Sequence, residues 1–267
     1  LSGKTNLCQA IRATQGQGLM PDGTTRFSKD GQPIYHYMGT STFSEYTVLP
    51  EISLAKINKA APLEKVCLLG CGVTTGMGAV MNTAKVKAGD TVAVFGAGPI
   101  GLGVIAASAA KGARVIVIEP SADRAKVALS LGADVVIDPT ILNTKDAVMD
   151  ATHGVGATIV MDASGRPDAM AATLEVASFH GRVVIIGISV GGKAPAEMGL
   201  IQSKELQVRG IIGSPGVWPE TIRFLSRTNL DLSKLVTSSF DISEADKAYQ
   251  KVLTDKSQIK VHVTNSG

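Results

Sequence analysis

From position 91 onward, short apolar runs alternate with longer segments of helical periodicity. The runs at 91–95, 114–118, 134–137, 157–161, 182–186 and 206–212 are rich in Val, Ile and Ala, which predicts parallel strands buried on both faces. Helices are predicted between them over 99–111, 121–131, 143–151, 166–178 and 197–203. Ser121 stands where an N-cap belongs, and Gly112 and Gly132 stand where helices should stop. Strand–helix repeats of this length build a right-handed, doubly wound α/β sheet.

Residues 1–60 read differently. They carry turn signals at Pro21-Asp22-Gly23 and Asp30-Gly31 and short alternating stretches, such as 43–49, that predict loop-rich β structure. The final stretch predicts a helix over 243–253 and a strand over 260–263. With 267 residues, 45% of them hydrophobic, the chain can bury a sizeable core in one large or two smaller domains. A formal charge of +3 with acids and bases well mixed, and no basic block with interleaved aromatics, argues against a nucleic-acid partner. No apolar stretch is long enough to span a membrane. Three cysteines, Cys8, Cys67 and Cys71, do not make a disulfide framework; a reducing, cytoplasmic setting is expected. The N-terminus carries neither an initiator Met nor a signal-peptide layout and reads as the middle of a longer protein.

Chemistry enters at Val92-Ala93-Val94-Phe95-Gly96-Ala97-Gly98-Pro99-Ile100-Gly101, a strand running into Gly-x-Gly-x-x-Gly and then a helix. Gly96 suits a tight turn, Gly98 lets the backbone approach a pyrophosphate, and Gly101 lets helix and strand pack closely. The helix N-terminus, beginning with Pro99 and Ile100, offers N–H groups and the positive dipole end to phosphates. The next strand ends in Glu119, eighteen residues after Gly101, where a carboxylate can bind both ribose hydroxyls and repel the extra phosphate of NADP. Other strand ends, Ser164-Gly165, Gly187-Ile188 and Ile212-Gly213, should line the same crevice or be ordinary glycine turns.

Residues 16–24 (Gly-Gln-Gly-Leu-Met-Pro-Asp-Gly-Thr), 36–46 (His-Tyr-Met-Gly-Thr-Ser-Thr-Phe-Ser-Glu-Tyr) and 66–76 (Val-Cys-Leu-Leu-Gly-Cys-Gly-Val-Thr-Thr-Gly) closely resemble the class III alcohol dehydrogenases, the glutathione-dependent formaldehyde dehydrogenases. From about residue 99 the chain is more similar to the threonine and polyol dehydrogenase branch of the same zinc-containing medium-chain superfamily, for example at 129–133 and 211–215. It reads as a divergent member or a junction of two relatives. The resemblance implies a Rossmann domain at 73–214, part of a mainly β, GroES-like catalytic domain at 1–72 that is truncated at its N-terminus, and a C-terminal return to that domain at 215–267.

The resemblance further implies NAD and zinc as cofactors. Cys71 would be a ligand of the catalytic zinc, where a thiolate suits the borderline-soft ion. Thr75, one helical turn on, would touch the nicotinamide, and Cys8 would belong to a structural-zinc loop. Arg12 would bind the anionic glutathione adduct. Arg124 would cover the adenosine ribose and Lys260 would lie near the pyrophosphate, although plain surface charges are an equal reading for these two. Cys67 invites a two-thiol metal site with Cys71, but the role expected of it is a small buried hydrophobe. His36, His153, His180 and His262 are expected to be structural.

The remaining zinc ligands of the family would lie before Leu1. The expectation is an alcohol:NAD oxidoreductase whose zinc site is incomplete here and which, as this chain, binds dinucleotide without zinc-dependent turnover. A nucleotide-binding module without turnover and a zinc-free medium-chain reductase are the alternatives; Cys71 speaks against the second. The partner expected is a small-molecule alcohol or aldehyde adduct, with a homo-oligomer formed through sheet edges in the 191–213 region.

Overall fold

A computed structural model describes residues 5–44, 46–189, 191–213, 216–228 and 230–265, so the stretch at 211–215 is described only as far as Gly213. The chain forms two compact units. One comprises residues 1–62, 238–255 and 261–267, the other 63–237 and 256–260.

The larger unit is built on a six-stranded sheet, and its order follows from the apolar runs. In chain order, its elements come after α1 (Gln9–Gln15), β1 (Phe27–Lys29) and β2 (Gln32–Ile34) of the smaller unit. They are α2 (Leu63–Val66), α3 (Gly72–Gly78), β3 (Thr91–Phe95), α4 (Pro99–Ala110), β4 (Arg114–Ile118), α5 (Ala122–Ser130), β5 (Val135–Ile137), α6 (Thr144–Ala151), β6 (Ala157–Asp162), α7 (Pro167–Val176), β7 (Ala177–Ile185), α8 (Gly199–Ser203), β8 (Gln207–Gly210) and α9 (Val217–Leu225). The strands lie in the order β5-β4-β3-β6-β7-β8, and every pair is parallel. Connections leave β3 toward β4 on one side and return to β6 on the other, so the strand order reverses between β3 and β6 while every strand stays parallel. Ligands bind outside the carboxyl ends of strands at such a point.

Strand alternation divides the core between the two faces of this sheet. Val92, Val94, Val115, Val117, Ile159 and Met161 pack on one face, in the core shared with α3 and α4. Ala93, Phe95, Ile116, Ile118, Val160 and Val183 pack on the other. Burial of each Val or Ile contributes about 1.5–3 kcal/mol, which is why the double-faced apolar runs could be read as strands. Helix α4 is buried along residues 101–108, as expected of a helix that is apolar all round. Ser121 caps α5 by accepting from the Arg124 amide, and Gly112 and Gly132 end the preceding helices at φ +80 and +100.

Four readings are corrected. Residues 43–49 form no strand among the described residues; the pairing in this region is instead the short hairpin of β1 and β2 across Asp30-Gly31. Helix α7 stops at Val176, and β7 begins at once, absorbing 177–181 with an irregularity in its pairing to β6. The run at 206–212 is no double-faced core strand: among the described residues β8 has a neighbour on one side only, and all four of its residues are exposed. Cys67 is exposed rather than a buried apolar filler. In the last part of the chain, β9 (Val236–Asp241) pairs with β10 (Lys260–Thr264), and α10 (Ala245–Thr254) lies between them in sequence. Among the described residues, no single helix is long and apolar enough to cross a membrane.

Candidate functional site

The turn after β3 is shaped by its glycines. Gly96 has φ +90, a conformation that favours glycine, and its amide donates to the Ile118 carbonyl at 2.9 Å, tying the turn to β4. Gly98 is extended (φ −71, ψ −179), with nothing within 4 Å of where a Cβ would stand. A Cβ on Gly101 would run into the Gly96 carbonyl oxygen. No side chain caps α4, so its first-turn amides, Ile100 and Gly101 among them, have no intrahelical acceptor and face an anion-binding geometry.

Glu119, at the end of β4, is buried at 4% exposure. One carboxylate oxygen accepts from the Ala97 amide at 2.7 Å and the other from the Ser121 amide at 2.9 Å. It therefore braces the glycine turn as well as facing the crevice, and each oxygen retains acceptor capacity for a ribose hydroxyl. Arg124 donates to the Gln258 carbonyl at 2.9 Å, while its Nε is buried without a partner. A cavity of about 650 Å³ opens here and brings together Gly96, Gly98, Glu119, Arg124 and Ser164. That volume and this mixture of small apolar and convergent polar groups suit a nucleotide.

Asp162, which sequence reasoning missed, is fully buried at the end of β6, in register with Phe95 of β3 and Ile185 of β7. It accepts from the Ser164 amide at 3.1 Å, the Ser164 hydroxyl at 2.6 Å and the Gly165 amide at 3.2 Å. The available signal was an acid closing an otherwise apolar strand. Arg166 and Asp168, at the cavity rim, were also missed; they form a two-pronged ion pair at 3.1 and 2.8 Å that holds the Asp168 carboxyl below its ordinary range.

Other expected residues stand outside the cavity lining. Gly165, Gly187 and Ile188 are tightly packed on one another at the ends of β6 and β7. Ile212 and Gly213 follow the edge strand β8, after the Ile211 amide donates to Ile185. Lys260 is exposed, and its charge is felt at the Cys67 thiol. Arg12 and Cys8 are exposed in the smaller unit, where Arg12 donates to the Asn6 carbonyl at 3.1 Å. His36 is buried there, accepting from the Arg26 amide at 3.0 Å through Nε2. Exposed His180 has its Nδ1 3.2 Å from the Glu205 carboxylate.

Thr75 is buried in α3, which begins just after Cys71, and the Thr75 amide donates to the Cys71 carbonyl at 2.8 Å. A Cβ on Gly76 would come within 2.5 Å of the Ile100 carbonyl oxygen, so α3 is pressed on the first turns of α4. Cys71 is exposed. Although Cys67 is exposed as a residue, local desolvation around its sulfur raises the thiol above its ordinary value, which does not favour a second thiolate. Among the described residues, no group of three or more His, Cys, Asp and Glu side chains is placed to hold a metal ion. These residues alone do not fit a zinc site, which takes three or four protein donors. Metal analysis of the purified chain is expected to give well below one zinc per molecule; stoichiometric zinc lost on Cys71→Ser would refute this ligand count.

Residues 99–227 match the zinc-binding dehydrogenase family. The chain is 45% identical over 264 residues to the S-(hydroxymethyl)glutathione dehydrogenases of Escherichia coli O1:K1 and Shigella sonnei strain Ss046, covering 96% of this chain and 71% of each relative. Among solved structures, an alcohol dehydrogenase zinc-binding domain protein from Burkholderia ambifaria superposes with a TM-score of 0.90 at 26% identity, covering 99% of this chain and 73% of the other. A short chain alcohol dehydrogenase of Escherichia coli CFT073, complexed with NADH, gives 0.72 at 26% identity over 80% of this chain and 63% of its own. Family members use zinc and NAD. The fingerprint in its strand–turn–helix setting, the buried acid beside it and these likenesses converge: the chain belongs to the zinc-binding dehydrogenase family, the NAD-dependent, zinc-type alcohol dehydrogenases.

Proposed function

We propose that the cavity at the ends of β3, β4 and β6 holds the adenosine half of NAD, and that the substrate oxidised is S-(hydroxymethyl)glutathione. The observation that carries the cofactor part is the cavity itself, which joins Gly96, Gly98 and the buried Glu119. Bound NAD supplies the hydride acceptor for alcohol oxidation. The chain's residues do the rest: the first-turn amides of α4 meet the pyrophosphate, Glu119 accepts from ribose hydroxyls, and Gly165, Gly187, Ile188, Ile212 and Gly213 border the nicotinamide half. Thr75 presses on the ring, while Arg124 and Lys260 bring positive charge to the rim. The substrate reading is supported by the 45% identity to S-(hydroxymethyl)glutathione dehydrogenases, with Arg12 as the anion partner of the adduct and Cys71 and Cys8 as the chain's contributions to metal sites. Steady-state rates of the full enzyme with and without glutathione test it; equal rates on simple alcohols would favour a threonine- or polyol-type substrate.

The two-domain division at 73–214, a homo-oligomer and a cytoplasmic setting belong to the same reading. The exposed edge strand β8 supports the oligomer, and three cysteines outside any disulfide support the compartment.

Glu119 carries a prediction of its own. NADH should bind about 30-fold more tightly than NADPH, because the 2′-phosphate removes a charge-assisted hydrogen bond worth about 2 kcal/mol. Glu119→Ala should erase that preference and weaken NADH as well, since the Ala97 amide loses its acceptor. Nicotinamide fluorescence titrations measure both. Equal affinities for the two cofactors in the unmutated chain would remove Glu119 from the site.

A further inference from the structure

We propose that Asp162 is a positioning residue for the dinucleotide. Its buried carboxylate fixes the backbone where Ser164, in the adenosine cavity, passes into Gly165, and thereby sets the crevice half beyond it that faces the nicotinamide. The inference rests on the reading that the dinucleotide binds across these strand ends.

The sheet order sets the layout. Glu119 ends β4, the Gly96–Gly98 turn ends β3, Ser164 and Gly165 follow β6, and Gly187 follows β7. A dinucleotide with its adenosine ribose on Glu119 and its phosphates on α4 must run its other half past β6 and β7. That half of the crevice is an interlock of main chain with little side-chain surface. A Cβ on Gly187 would collide with the Gly165 amide nitrogen, and one on Gly165 would stand 2.8 Å from the Ile188 carbonyl oxygen. A Cβ on Gly96 would stand 3.1 Å from the Cα of Ser164. Any movement of residues 164–165 is therefore passed to the turns on both sides.

Asp162 is the side chain that holds this interlock. Its oxygens take the Ser164 amide, the Ser164 hydroxyl and the Gly165 amide, and its own carbonyl accepts from the amides of Ile186 and Gly187 at 2.8 and 2.9 Å. One residue thus ties the β6 turn to the β7 turn from both its side chain and its backbone. The Ser164 hydroxyl is consumed in this: it donates to Asp162 and accepts from the Arg166 amide at 3.1 Å. Ser164 then serves the ligand through its position, and not as a donor. Hydrogen bonds to a charged, buried acceptor are the strong ones, and a half-satisfied network of this kind is worse than none.

Asp162→Asn tests this with nearly unchanged volume. The amide oxygen can still accept from Ser164, but the amide nitrogen opposes the Gly165 N–H, donor against donor, and displaces Gly165. NADH affinity, measured by fluorescence well below the melting temperature, should fall at least about tenfold. ADP needs the Glu119, α4 and Ser164 side of the crevice, where the amide oxygen of Asn can keep the Ser164 bonds, and should bind within about threefold of the unmutated chain. Ser164→Ala removes one of the three bonds at the wall of the adenosine cavity and should weaken ADP somewhat and NADH more, by about threefold to fivefold. NADH binding within twofold of normal in Asp162→Asn would overturn the proposal. An equal loss of NADH and ADP would do so too, since that makes Asp162 a support of the whole sheet end. Should Asp162→Asn not fold, Ser164→Ala decides: a larger loss for NADH than for ADP sustains the proposal, and equal losses or unchanged NADH affinity overturn it. Failure of the unmutated chain to bind NADH at all would instead overturn the cofactor reading.

Discussion

Gly98→Val should lose NADH binding by at least about a hundredfold while the chain melts where it did before. The two halves of this expectation have separate causes. Gly98 is extended, in a region open to any residue, and nothing lies within 4 Å of the added Cβ, so the protein itself accommodates valine. The open space is the approach to the α4 N-terminus, and a phosphate must come within hydrogen-bond distance of those amides. An isopropyl group there keeps it out, and the anion loses both its N–H contacts and the dipole end of the helix. Fluorescence titration with NADH and a thermal melt of the same sample measure the two halves. Normal binding with a normal melt would reduce the fingerprint to an ordinary turn.

Gly101→Ala should behave in the opposite way, destabilising the fold first. Alanine in a helix is favoured over glycine by about 1 kcal/mol, so propensity alone predicts a gain. Sterics decide against it. The new methyl would overlap the Gly96 carbonyl oxygen, which sits on a turn tied to β4 through the Gly96 amide and to β6 through packing on Ser164. The backbone there cannot give way, so α4 must shift off β3, where it is buried over 101–108. Overpacking of a rigid core costs about 1–3 kcal/mol and occasionally more. A net loss of about 2 kcal/mol lowers the melting temperature of a unit this size by roughly 4–8 °C. Calorimetry reads the shift directly. A variant that melts at or above the normal temperature would mean that helix and strand are not in the close contact described.

Together the two substitutions separate a glycine kept for a ligand from a glycine kept for packing. The spacing alone could assign these roles only in principle. The open surroundings of Gly98 and the crowded ones of Gly101 are what make opposite outcomes expected.

The local patterns of the chain were sufficient for the strands β3, β4 and β6, the helices between them, the glycine turn and the acid at Glu119. Each depends on neighbours within a few residues: a double-faced apolar run, a helical period, a cap at Ser121, glycines at φ +80 and +100 where helices end. The three long stretches before residue 77 placed the family by the same local means. What the sequence could not decide was everything that depends on which strand lies beside which. The exposure of β8, whose residues include Gln207 and Arg209, follows from its place at the end of the sheet order. The double duty of Glu119 arises because β3 and β4 are adjacent, which brings the Ala97 amide, twenty-two residues away, to its oxygen. Asp162 reads in sequence as the polar end of a strand. It becomes the centre of the crevice because β6 lies between β3 and β7: its carboxylate takes the Ser164 and Gly165 amides of its own turn while its carbonyl takes the Ile186 and Gly187 amides after β7. Periodicity and capping are set by the chain's immediate neighbours, whereas a buried charge takes its meaning from the donors that long-range packing brings around it.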